Sequence, residues 1–165
     1  QGVEMRNHGP SFNRAFSLIE LIIVVVIIGI IAAIAVPRLS RGSEGAADAA
    51  LIGDLAVLRS ALDLYETEHV GGLPSVADFE NQMTLFTDIN GNTAAAKAGV
   101  FIYGPYLREL PPLPVGSRKG NTAVKAAPAD GLGTFGWAYN AGTGEIRANC
   151  AVGEDDDSGK DYNTY

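Results

Sequence analysis

An apolar run near the start of the chain places the strongest constraint on its fold. Across residues 16–36, only Ser17, Glu20 and Gly29 are not hydrophobic. An α-helix rises 1.5 Å per residue, so about 20 apolar residues cross the hydrocarbon core of a membrane. The sequence therefore predicts that residues 16–37 form a single transmembrane helix.

The charges on either side of this run predict its orientation. Arg6 and Arg14 precede it, and Glu4 is the only acidic residue beside them. By the positive-inside rule, the preceding segment is cytoplasmic and the chain after Pro37 is exported. A cleaved secretory signal peptide is the alternative. The run is longer than the apolar region of such a peptide, and Arg38 follows it directly.

Glu20 is a carboxylate within the apolar run. An ionised carboxylate inside a membrane costs at least a few kcal/mol, so a charge there indicates a functional role by default. The alternative is that Glu20 lies near the membrane surface and stays hydrated. The sequence favours the first interpretation, in which this carboxylate has a partner.

The remainder of the chain has the composition of a small acidic domain. The 165 residues carry a formal net charge of −7, from 12 basic and 19 acidic side chains. Without clustered Lys and Arg, we expect no nucleic-acid partner. The sequence has no nucleophile elbow, phosphate-binding loop or metalloprotease motif, so we expect no enzyme. The single cysteine, Cys150, has no second cysteine for an internal disulfide.

Residues 38–70 predict an amphipathic helix that continues from the apolar one. One apolar stripe steps by three and four residues, and charged residues are predicted opposite it. The stripe is Leu51, Leu55, Leu58, Leu62 and Tyr65, and the charges are Asp48, Asp54, Arg59, Asp63 and Glu66. A coiled coil is the alternative, but we favour packing on the chain's own domain. Glycines at 71 and 72 and Pro74 are predicted to end the helix, and Pro37 to kink it.

Residues 71–153 predict a globular head with a hairpin near its end. Aromatic alternation in residues 135–140 and a second strand at 145–149 flank a glycine-containing turn. Trp137 and Tyr139 share one face, which we expect to cover the leucine stripe. A carbohydrate-binding platform is the alternative for these aromatic residues.

Residues 14–37 closely resemble the N-terminal signature of type IV pilins and type II secretion pseudopilins. The resemblance is carried by RAFSLIELI at 14–22 and IGIIAAIAVP at 28–37. It implies that a prepilin peptidase cuts between Ala15 and Phe16 and methylates the new amine of Phe16. Residues 1–15 are then a cleaved leader. The family usually has glycine before the cut, so Ala15 is a departure from its pattern.

The same resemblance implies roles for three residues of the apolar helix. The new ammonium group at Phe16 of one subunit would neutralise Glu20 of its neighbour and fix their axial register. In pilin-like filaments, the stretch from Gly29 to Pro37 can lose helicity on assembly. A simple bend is the alternative for that stretch.

Two further segments are similar to major, G-type pseudopilins. These are GPYLRELPPLPVG at 104–116 and the Trp-x-Tyr-Asn and Thr-Gly-Glu-Ile pattern of the hairpin. The resemblance implies a structural subunit stored in the inner membrane and added to a periplasmic pseudopilus, a helical homopolymer. Its partners would be minor pseudopilins, the prepilin peptidase and the inner-membrane assembly platform. A type IV pilin for adhesion, motility or DNA uptake is the alternative, followed by a membrane-anchored binding module or enzyme.

The expected fold is α+β and pilin-like. A long N-terminal helix, half hydrophobic and half amphipathic, packs on a small antiparallel sheet. Residues 154–165 form an acidic tail, which we expect to be solvated or disordered. Many G-type pseudopilins bind calcium in an Asp-rich loop near their end, and here Asp155, Asp157 and Asp161 are the candidate ligands. We expect no other cofactor.

Overall fold

The computed structural model describes residues 16–126 and 128–165, with the side chains of residues 36–43 left out of the description. Its helices are α1 (Leu18–Glu68), α2 (Phe79–Thr84) and a 3₁₀ turn at Tyr162–Thr164. Its strands are β1 (Phe86–Thr87), β2 (Thr93–Ala94), β3 (Val124–Lys125), β4 (Trp137–Asn140) and β5 (Glu145–Ala148). The chain divides into two compact units, one ending at Ser40 and one running from Arg41 to Tyr165. Each is described in turn.

The first unit contains the apolar part of α1. Within the described residues, Leu18–Ala35 is the segment long and apolar enough to cross a membrane, and none of it is buried. The prediction of an apolar helix of spanning length is therefore confirmed. The predicted kink at Pro37 stays a prediction, because that residue lies among those whose side chains are not described.

The second unit has its core between α1 and a small sheet. The predicted leucine stripe is buried throughout, from Leu51 to Tyr65, which confirms that this face of the helix packs on its own domain. β4 pairs antiparallel with β5, whereas β3 pairs parallel with β4. The α+β fold is confirmed, with a mixed three-stranded sheet in place of the purely antiparallel sheet we expected. β1 and β2 form a separate antiparallel pair.

The β4–β5 hairpin packs its aromatic face into this core. Trp137 and Tyr139 both belong to the buried cluster, as predicted from their alternation. The Trp137 indole nitrogen donates to the Pro111 carbonyl at 2.8 Å, and the Tyr139 hydroxyl donates to the Pro74 carbonyl at 3.1 Å. Because the polar atom of each ring is satisfied inside the domain, these rings do not form an exposed carbohydrate platform.

The end of α1 differs in detail from the prediction. The helix ends at Glu68, and Val70, rather than a glycine, is the first residue with a left-handed backbone, at φ 56°. The Gly71 amide donates to the Glu66 carbonyl at 2.8 Å, which closes the last turn. The predicted stop is therefore confirmed at this place in the chain, but a β-branched residue takes the strained position.

The acidic tail is folded, contrary to the expectation of a solvated or disordered segment. Asp155 and Asp161 form an isolated antiparallel bridge, and a 3₁₀ turn follows. Tyr162 and Tyr165 pack against the core cluster. These two aromatic rings supply the apolar area that a purely acidic segment lacks.

Candidate functional site

The start of the apolar helix presents the residues of the predicted processing site. Phe16 and Ser17 precede the first turn, and the Phe16 side chain is 79 % exposed. The helix begins where the amides of Glu20 and Leu21 donate to the Ser17 carbonyl, at 3.0 and 3.2 Å. Ala15, on the other side of the predicted cut, lies outside the described residues. Phe16 is thus exposed and is not held in a helix.

Glu20 lies in the first turn of this helix with its side chain exposed. No ion pair to it occurs in the part of the chain that the structure describes. The side chains that follow it, from Leu21 to Ile28, are all apolar and exposed. Within its own chain, Glu20 therefore has no ion-pair partner among residues 16–126 and 128–165.

Gly29 lies in open space on the same helix. A Cβ atom built there meets no heavy atom within 4 Å. Substitution at Gly29 is thus sterically free within the chain. Any constraint on this position has to come from a change in the helix or from contact with another molecule.

The part of α1 in the second unit carries a second apolar face, where the sequence analysis placed charge. Ile52, Val57 and Leu64 are each half exposed, at 53, 54 and 50 %. Between them lie Gly53, Ala56 and Ser60, which are also exposed. A shallow groove of about 380 Å³ follows this face; its lining is Ala56, Val57, Ser60, Ala61, Leu64 and Tyr106.

The prediction of a charged face opposite the leucine stripe is therefore confirmed only in part: Asp63 and Glu66 are exposed, but small and apolar side chains share this side of the helix. Two of the charges turn towards the head at the edges of the helix. Arg59 donates to the Ile146 carbonyl at 3.3 Å, and Asp48 accepts the Tyr162 hydroxyl at 2.6 Å. The most exposed face is left to small and apolar side chains.

A buried histidine joins the end of α1 to β1. The His69 Nδ1 atom lies 2.8 Å from the Tyr65 carbonyl, which can only accept, so Nδ1 carries the proton. Its Nε2 atom is 3.0 Å from the Thr87 hydroxyl, and its ring stacks on Tyr65 at 3.7 Å. Burial raises the pKa of the neighbouring Tyr106, whose hydroxyl donates to Glu68. Each ring nitrogen of His69 therefore has a hydrogen-bond partner within the domain, which indicates a structural role.

Of the three aspartates predicted as calcium ligands, Asp155 and Asp161 pair in the isolated antiparallel bridge. In residues 16–126 and 128–165, no group of three or more His, Cys, Asp or Glu side chains is placed to hold a metal ion. Asp161 uses one carboxylate oxygen to accept the Gly153 amide at 2.8 Å. The backbone amide of Asp157 donates to Asp48 at 3.3 Å. This arrangement does not fit a calcium ion, and calcium binding by Asp155, Asp157 and Asp161 stays a prediction from the sequence.

Cys150 is free and fully buried. Burial, with a smaller effect from the Glu154 charge, raises the pKa of its thiol to about 12. The reactive thiolate is therefore rare at neutral pH, and the side chain acts as a small core residue.

Comparison with known families gives a match that covers the apolar segment. The sequence model of the prokaryotic N-terminal methylation motif matches residues 11–36. The chain therefore carries the N-terminal methylation motif that is found in type IV pilin-like proteins. The motif is typical of prepilin peptidase substrates, which are structural subunits rather than enzymes. Comparison with curated proteins and with solved structures each gave no significant match.

Proposed function

We propose that this type IV pilin-like protein is a structural subunit of a type II secretion pseudopilus. A prepilin peptidase cuts between Ala15 and Phe16, and the mature chain is stored in the inner membrane with its start on the cytoplasmic side. The assembly platform then adds it to a periplasmic filament. The observation that carries this proposal is the methylation motif at residues 11–36. Glu20 lies inside that motif, on an apolar helix that no other part of the described chain buries.

The apolar helix explains storage and assembly through the same physical property. Lipid covers Leu18–Ala35 in the membrane, and other copies of the helix cover it in the filament. The carboxylate of Glu20 is costly in either setting unless a positive charge neutralises it. The new ammonium group of Phe16 on a neighbouring copy supplies that charge, and the attraction is strong because the surroundings are apolar. One pairing geometry then fixes the axial offset between copies.

The second unit supports the role of an assembled subunit. Its exposed apolar face at Ile52, Val57 and Leu64 suits a molecule that is surrounded by further copies and by minor pseudopilins. Cys150 is buried and free. By resemblance, many type IV pilins close a disulfide loop near their end, so a single buried cysteine favours the pseudopilus over a surface pilus.

The Glu20→Val variant tests the assembly role of the carboxylate. We expect it to insert in the membrane and to be cleaved, but to be nearly absent from filaments, because the register-setting charge pair is lost. Filaments sheared from cells that express the secretion machinery are quantified by immunoblot, beside the processed membrane pool. Ser17→Ala, which removes another polar side chain from the same segment, is the matched control and should assemble normally. Normal assembly of Glu20→Val would contradict the proposal.

Deletion of the whole protein distinguishes the two kinds of filament. A pseudopilus subunit is required for release of exoproteins, so secreted enzymes should accumulate in the periplasm of the deletion strain. Unchanged secretion together with loss of surface filaments in electron micrographs would assign the protein to a type IV pilus instead.

A further inference from the structure

We propose that residues 154–165 form a latch that closes onto α1 through tyrosine–aspartate hydrogen bonds and does not need a metal ion. We call this segment the acidic latch. It contains the aspartates for which the sequence predicted calcium. Donors within the chain bind the carboxylates of Glu154, Asp156 and Asp161.

The first tyrosine–aspartate pair, Tyr162 and Asp48, joins the acidic latch to α1. The Tyr162 hydroxyl donates to Oδ1 of Asp48 at 2.6 Å, and the Asp157 amide donates to Oδ2 of Asp48 at 3.3 Å. Both oxygens of this helix carboxylate therefore bind the latch. Arg59 lies farther along the helix, and its guanidinium group donates to the Tyr165 carbonyl and to the Ile146 carbonyl of β5. Arg59 thus links α1, the sheet and the latch.

The second tyrosine–aspartate pair, Tyr165 and Asp156, lies within the acidic latch. Oδ1 of Asp156 accepts the Ser158 hydroxyl at 2.6 Å and the amides of Ser158 and Lys160 at 2.8 and 3.0 Å. Oδ2 of the same carboxylate accepts the Tyr165 hydroxyl. These donors hold the pKa of Asp156 below its usual range, first through Ser158 and then through Tyr165. A carboxylate with four donors has little capacity left for a cation.

Two more carboxylates of the segment, those of Glu154 and Asp161, are also bound by amides. Glu154 accepts the amides of Ala151 and Ser117 at 2.7 and 2.6 Å. Burial opposes its ionisation, but these bonds outweigh burial and lower its pKa. Asp161 accepts the Gly153 amide. Lys160 balances part of the charge, with its ammonium group 3.4 Å from the centre of the Tyr165 ring.

Packing completes the closure of the acidic latch. The rings of Tyr162 and Tyr165, together with Ala47 of α1, pack against the core cluster. Burial raises the pKa of Tyr162, and its bond to Asp48 raises it further, so the hydroxyl stays protonated and remains a donor. Apolar contact and hydrogen bonding therefore both hold the segment to the helix, and calcium is not required.

Hydrogen exchange of the full chain in detergent micelles tests the inference. Amide exchange of residues 154–165 is followed by mass spectrometry in calcium chloride at millimolar concentration and in EDTA. We expect the same protection in both. Tyr162→Phe should speed exchange in this segment about tenfold, since a hydrogen bond to a charged group contributes at least that factor to a local opening equilibrium. Tyr103→Phe, a hydroxyl deletion outside the segment, should leave it unchanged.

Two results would overturn the acidic latch. One is unchanged exchange in Tyr162→Phe and in Asp48→Asn, the second variant, which keeps an acceptor but removes the charge. The other is strong protection by calcium that is lost in Asp155→Asn/Asp157→Asn, which would establish a metal site. Protection of α1 amides from Leu55 to Leu62 in the same spectra shows whether each variant is folded.

Discussion

Glu20 and Asp88 are carboxylates in opposite settings. Glu20 is exposed in an apolar segment, and its role follows from the cost of its charge, which sequence alone makes evident. Asp88 is buried at the β1–β2 turn, where it accepts the amides of Asn90 and Asn92 at 2.9 Å. The Asn92 side chain donates to its second oxygen at 2.8 Å. The turn could be predicted from Asn90 and Gly91, but the number of donors on Asp88 could not.

The acid stability of the protein should depend on Asp88. Hydrogen bonds, above all from the Asn92 side chain, hold the pKa of Asp88 below its usual value. Its contribution to the free energy of unfolding is therefore complete above pH ~4 and is lost as the pH falls through the lower folded-state pKa. Urea unfolding at a series of pH values should show a shallower loss of stability below pH ~4 in Asp88→Asn than in the wild type.

Asp78→Asn is the control for this measurement. Asp78 stands at the start of α2 without a side-chain capping bond, so Asp78→Asn removes one carboxylate, as Asp88→Asn does, without breaking such a bond. Identical acid profiles for Asp88→Asn and the wild type would contradict the assigned role of Asp88.

At the scale of elements, α1 shows what periodicity predicts and what it leaves open. Leucine spacing identified the buried face because core packing follows the helical repeat. The opposite face was predicted only in part, because two of its charged residues lie within hydrogen-bonding distance of the head. Arg59 contacts β5 and Asp48 contacts the tail, and neither contact has a local signal in the sequence. The end of the helix was located by glycine, yet Val70 takes the left-handed position.

Relief of the backbone strain at Val70 should stabilise the second unit. A left-handed backbone costs a residue with a Cβ atom about 1–2 kcal/mol, and glycine returns part of that through its unfolded-state entropy. We expect Val70→Gly to raise the free energy of unfolding by about 1 kcal/mol. The lost contacts are few, because the Val70 side chain is 86 % exposed. Chemical denaturation measures the change.

Val70→Ala separates strain from side-chain size in this test. Alanine keeps the Cβ atom and therefore the strain, so its stability should remain close to that of the wild type. A Val70→Gly protein no more stable than Val70→Ala would show that the backbone at this position is not strained.

At the scale of the whole molecule, long repeats and local turns could be predicted from the sequence. Pairings between short segments that lie far apart in the chain could not. The apolar helix, the buried stripe and the β4–β5 hairpin each leave a repeat or a turn signal in the sequence. β3 has only two residues and pairs parallel with β4, so no period reveals it. Folding of the tail depends on Asp48, far away in the chain. The motif residues were predictable because they lie within one segment, whereas the partners that we propose for them belong to other molecules.

We propose that the mature protein is a processed, N-methylated filament subunit. Intact-mass and peptide mass spectrometry of the protein co-expressed with a prepilin peptidase tests it most directly, with an inactive peptidase as the control. We expect a mature chain that begins at a methylated Phe16, with residues 1–15 removed only by the active prepilin peptidase. A chain that keeps those residues beside the active peptidase, or that is cut elsewhere, would contradict it.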